Sequence, residues 1–128
     1  MVGRGEGVFL LGFPGIISTA LKNITSGQMN VAVGSGAIED AIGGNYNIAV
    51  GGDALHKNSV GSYNVAIGSN ALFSNTGSGT YDAGNGITWD NATSNVAIGS
   101  NALYNNTNGS FNTAIGNSSM FNSVSTIN

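Results

Sequence analysis

Asn64-Val65-Ala66-Ile67-Gly68 is one of five copies of Asn-x-Ala-x-Gly in the chain. The others are Asn30-Val31-Ala32-Val33-Gly34, Asn47-Ile48-Ala49-Val50-Gly51, Asn95-Val96-Ala97-Ile98-Gly99 and Asn112-Thr113-Ala114-Ile115-Gly116. The first residues stand at 30, 47, 64, 95 and 112, so the intervals are 17, 17, 31 and 17. A unit this short cannot hold a helical hairpin and suits one coil of a β-solenoid, in which each repeat stacks on the next.

Counting from each Asn as position 1, Gly fills position 5 of every unit, at Gly34, Gly51, Gly68, Gly99 and Gly116. Position 8 is Ala37, Ala54, Ala71 or Ala102, and position 9 is Ile38, Leu55, Leu72, Leu103 or Met120. Position 17 holds Tyr46, Tyr63 and Phe111, with Ser94 before the fourth Asn. Residues 18–29 align without a gap on residues 100–111. A degenerate coil is therefore expected before the first clear one, with residues 13–17 in its strand slot. Residues 1–17 then form a cap or docking segment, and 18–128 the repeat domain. Val8 to Ile17, behind Arg4, has a weak look of a secretory signal, but the repeat frame gives it a better use. The last unit, counted from Asn112, is complete at Asn128. An unpaired edge is expected there unless the array continues or a partner covers it.

Alternating β-branched residues at positions 2 and 4 predict a short strand, and Gly5 a corner. A second strand is expected at positions 8 to 10. Asn at position 12 (Asn23, Asn58, Asn75, Asn106) suits the next corner. Val, Ile and Leu are expected to point inward. The opposite strand face, made of Asn, Ala and Gly, would then be a flat outer surface of small side chains. That face allows close approach of another copy, most simply in a parallel trimer. The first-position asparagines Asn30, Asn47, Asn64, Asn95 and Asn112 are expected to form a ladder.

The interval of 31 exceeds 17 by 14, which places an insertion at about Gly77 to Asp90, in a turn of the third unit. It carries the only Trp. Tyr81, Asp82, Asn85, Trp89 and Asp90 are the candidate contact residues. Aromatic faces beside acids and amides suit sugar recognition. Two other readings stay open: packing of the loop on the solenoid or a neighbour, and a Ca²⁺ site from Asp82, Asn85 and Asp90.

The 128 residues include 21 Gly and no Cys, and only 7% are charged, against roughly 25% in an ordinary domain. At 41% hydrophobic, the chain lacks the signature of disorder. Its cations are Arg4, Lys22 and Lys57, too few and too scattered to neutralise a phosphate backbone, so nucleic acid is excluded as a partner. No apolar run reaches the ~20 residues of a membrane span. His56 and the adjacent Glu39 and Asp40 read as turn residues. Gly34-Ser35-Gly36 and Gly77-Ser78-Gly79 lack the Lys and helix of a phosphate loop. No catalytic, metal or cofactor site is expected. Ice binding would want an outward threonine array, and Thr25, Thr76, Thr107 and Thr113 are scattered.

Asn95 to Thr107, Asn-Val-Ala-Ile-Gly-Ser-Asn-Ala-Leu-Tyr-Asn-Asn-Thr, resembles the head repeat of trimeric autotransporter adhesins of the YadA type. It resembles still more the longer Asn- and Thr-rich versions in phage tail-fibre and other virion proteins. The resemblance covers about residues 18–128. It implies an all-β homotrimer of left-handed parallel β-rolls, without enzymatic activity, used as a shaft or for adhesion. The leader, coiled-coil stalk and membrane anchor of those adhesins are not visible, and the unit is longer than their common repeat. Both features favour an extracellular virion component that serves host attachment, with a bacterial surface head as the alternative. Expected partners are further copies of the chain, other fibre components at the two ends, and a cell-surface glycan.

Overall fold

The structure is a computed structural model that describes residues 9–10, 19–77, 80–81, 88–89 and 92–122. It is a parallel β-solenoid. The strands are β1 (Phe9–Leu10), β2 (Val31–Val33), β3 (Ile48–Val50), β4 (Val65–Ile67), β5 (Thr80–Tyr81), β6 (Thr88–Trp89), β7 (Val96–Ile98) and β8 (Thr113–Ile115). One six-stranded sheet has the order β1-β2-β3-β4-β7-β8, every pair parallel. From β2 onward the register joins equal positions of successive units: Ala32 to Ala49, Ala49 to Ala66, Ala66 to Ala97 and Ala97 to Ala114. The 31-residue interval leaves this pairing unchanged, because the extra residues leave the coil at a turn and carry the antiparallel pair β5-β6. Among the described residues there is no helix.

Which strand face is inside differs from the sequence reading. Ala32, Ala49, Ala66 and Ala97 are fully buried, as are all five first-position asparagines. Val and Ile at positions 2 and 4 point outward; Ile48, Val50, Ile67 and Ile98 are 36–40% exposed and Ile115 68%. The cause is the thinness of the coil. Leu55, Leu72, Leu103 and Ile38 enter from the opposite wall and are fully buried. Alanines at positions 3 and 8 let the two walls close on them at core density. Two further large side chains per coil would hold the walls apart.

The predicted second strand is also absent. Positions 8 to 10 are turn, and position 9 adopts left-handed backbone in every coil, with φ of 58° at Leu21, 51° at Ile38, 55° at Leu55, 52° at Leu72, 51° at Leu103 and 50° at Met120. Position 17 does likewise, at φ 57–61° from Met29 to Phe111. Side chains disfavour this region, but the neighbouring coils hold it in place. The position 9 N–H donates to the position 8 carbonyl of the next coil, as from Leu55 to Ala71 at 2.9 Å and Leu72 to Ala102 at 3.0 Å.

At the start of the array, Phe9 pairs with Val31 and Leu10 with Ala32. The strand slot is thus filled five residues earlier than the expected 13–17. Pro14 would have stood there, and proline has no N–H to give a ladder.

Candidate functional site

The outward side of β2, β3, β4, β7 and β8 is a neutral sheet face. Positions 2 and 4 carry Val, Ile and one Thr, with no charged residue in any coil. Soluble monomers rarely show an apolar area larger than a few hundred Å² without a partner for it. Here the exposure is not a scatter of single residues but two parallel rows at the coil spacing. At the corner beside them, position 17 adds Met29, Tyr46, Tyr63 and Phe111, 50–60% exposed, with Tyr46 and Tyr63 stacked at 5.0 Å.

Two interior asparagine ladders hold this face rigid. Each of the first four first-position Oδ1 atoms accepts the backbone N–H of the next coil's asparagine: Asn47 onto Asn30, Asn64 onto Asn47 and Asn95 onto Asn64 at 2.9 Å, Asn112 onto Asn95 at 3.0 Å. Its amide donates to the position 15 carbonyl of its own coil, as from Asn47 to Gly61 at 2.9 Å and Asn95 to Gly109 at 2.8 Å. The second ladder is Asn58, Asn75 and Asn106 at position 12, whose amides donate to the preceding Oδ1 at 2.8 and 3.0 Å. Asn58 and Asn106 also reach the Gly61 and Gly109 carbonyls. Those two corner carbonyls therefore accept from both ladders, and polar groups that would be costly to bury are satisfied. Asn23 is not part of the second ladder. It stands at position 11 and donates to Asp40 at 2.8 Å.

The charged side chains gather at another corner. Lys22, Glu39, His56, Phe73, Tyr104 and Phe121 form a single column at position 10. Lys22 Nζ lies 3.6 Å from Glu39, and Thr19 donates to the same carboxylate. His56 Nε2 is 3.5 Å from Asp40, its Nδ1 is 3.4 Å from Asp53, and its ring stacks on Phe73 at 5.1 Å. Phe73, Tyr104 and Phe121 continue the stack at 5.0 Å steps. Lys57 Nζ sits 5.3 Å from the Phe73 ring centre. His56 and Glu39 stand in turns, as read from the sequence, but their side chains are packed, 18% exposed, rather than solvated. Their register places them together, a signal the sequence carries in the 17-residue spacing of Glu39 and His56. Among the described residues no group of three His, Cys, Asp or Glu is arranged to hold a metal ion.

Of the insertion residues, Tyr81 lies in β5 opposite Thr88, and Trp89 in β6 opposite Thr80. The two aromatics are not cross-strand partners. Asp82, Asn85 and Asp90 lie outside the described residues. Comparison with known protein families, characterised proteins and solved structures gave no match.

Proposed function

We propose that this chain is a structural and adhesive solenoid module without catalytic function, serving as a fibre, spike or decoration element of a virion that contributes to host attachment. The observation that carries the reading is the outward Val and Ile face, repeated in five coils without a charge. An unpartnered face of this kind favours burial against copies of itself in a closed symmetric assembly, and the resemblance to YadA-type heads favours the parallel homotrimer. The surface that associates is the apolar one. The small-residue face assigned this role by the sequence is interior. The resemblance of residues 18–128 to YadA-type and tail-fibre repeats supports the same use and the extracellular location. A bacterial adhesin head is the second reading, favoured by the same repeat.

With no native cysteine, cross-linking tests the reading cleanly. Ile67→Cys is expected to form interchain disulfides rapidly on mild oxidation. Ala66→Cys, one residue away but fully buried, is expected to form none. Equal and slow reaction of both would refute self-association through this face. The attachment role is tested separately. Deleting residues 77–90 removes host-cell binding if the insertion makes the contact, and leaves it intact if the coils do.

A further inference from the structure

The corner row at position 17 lacks one rung. Met29, Tyr46, Tyr63, Ser94 and Phe111 occupy it in consecutive coils, and Tyr46 and Tyr63 stack with planes 8° apart. The position 10 column shows that the insertion does not alter coil spacing, since Phe73 and Tyr104 stack at 5.0 Å across it. Tyr63, Ser94 and Phe111 share one backbone conformation, φ 59°, 57° and 61°, so their side chains leave the corner in the same direction. Tyr63 and Phe111 are consequently separated by two coil heights, about 10 Å, with a serine between them. They are 58% and 60% exposed.

A six-membered ring placed over Ser94 would lie about 5 Å from each flanking ring, the spacing of the stacks already formed in this molecule at 5.0–5.1 Å, which suits a pyranose chair with a C–H face on each aromatic. The surroundings are neutral and rich in hydroxyls. Thr93 Oγ1 accepts the Ser62 N–H at 3.4 Å, which leaves its O–H to donate, whereas Ser110 is buried. Ser94 adds a second hydroxyl. No cation stands at positions 16, 17, 1 or 2 of any described coil, so a phosphate-bearing ring would be left uncompensated.

We propose that this gap is a binding subsite for one neutral pyranose ring, sandwiched between Tyr63 and Phe111 and hydrogen-bonded by the Ser94 and Thr93 hydroxyls. The site uses no residue of the insertion and does not depend on self-association through positions 2 and 4.

The test is a titration of the ¹⁵N-labelled full chain with methyl β-glucopyranoside and methyl β-galactopyranoside, each to about 50 mM, a range that captures millimolar affinity. Phenol serves as the aromatic control, and oligomeric mass is measured on the same samples. Amide shifts confined to residues near 63, 94 and 111 are expected with at least one sugar. In Ser94→Tyr the chain's own ring fills the gap, so affinity is expected to fall at least tenfold while the melting temperature rises. Tyr63→Ala gives the same loss of binding by removing one wall, and covers the case in which Ser94→Tyr does not fold. The proposal is overturned if neither sugar shifts these amides, if Ser94→Tyr binds as the parent does, or if phenol binds there more tightly than both sugars. The last result would identify a slot for an aromatic side chain of another copy.

Discussion

Asn64 illustrates how single residues carry this fold. Its Oδ1 accepts the Asn95 N–H at 2.9 Å, and its amide donates to the Ala92 carbonyl at 2.9 Å. Asn64→Ala leaves buried polar groups of the backbone short of a partner, at about 1–3 kcal/mol for each. Asn64→Asp is expected to cost more, because it removes the donor and sets a carboxylate against that carbonyl. Urea titration ranks the two; a milder effect of Asp than of Ala would contradict the ladder. Position 5 glycines allow a sharper comparison. A Cβ on Gly68 would stand 2.6 Å from the Gly99 carbonyl carbon, whereas one on Gly116 meets nothing within 4 Å. Both have left-handed backbone, φ 128° and 121°. Gly116→Ala should therefore lose only the conformational cost, about 1–3 kcal/mol, and Gly68→Ala distinctly more. Equal losses would mean that coil contact at Gly68 is not limiting. Ser119 sits where five other coils have Ala, and its hydroxyl is buried without a partner among the described residues. Ser119→Ala is expected to gain about 1 kcal/mol, read as a rise of a few degrees in Tm.

At the scale of elements, the 31-residue interval behaves as a 17-residue coil with a hairpin attached. Val65 pairs with Val96, Asn64 bonds Asn95, and Phe73 stacks on Tyr104, all across the insertion. Deleting residues 77–90 should accordingly leave the far-UV circular dichroism spectrum unchanged and Tm within a few degrees; loss of cooperative unfolding would show that the hairpin supports the stack. The frame itself was legible in the sequence because parallel stacking puts identical positions over one another, and Asn-x-Ala-x-Gly marks the register in each coil. The direction of the strand was not legible, because a period of two defines two faces without saying which is inside. That choice depended on Leu55, Leu72 and Leu103 filling the interior from the far wall. The missing second strand was hidden for another reason: nothing about Leu at position 9 announces positive φ, which the hydrogen bonds of adjoining coils impose. The Lys22-to-Phe121 column was readable from spacing alone, since its members recur at one position. The insertion contacts were not, because they have no repeat to calibrate them.

For the whole molecule, the coils make a rigid scaffold whose charged side chains, other than those outside the described residues, gather near one corner and whose sheet face is apolar and outward. Rigidity comes from hydrogen bonds inside and between coils, so the Val and Ile rows are left available for association instead of being spent in a core. Substituting Asp at Ile67 and Ile98 should then disturb association while sparing the fold, because neither side chain is buried within the chain. Sedimentation equilibrium on the parent and on the Ile67→Asp/Ile98→Asp double variant measures this directly. A mass of three 12.8 kDa chains for the parent, falling to one folded chain in the variant, is the predicted result. A parent that sediments as a folded single chain at high micromolar concentration would contradict the claim.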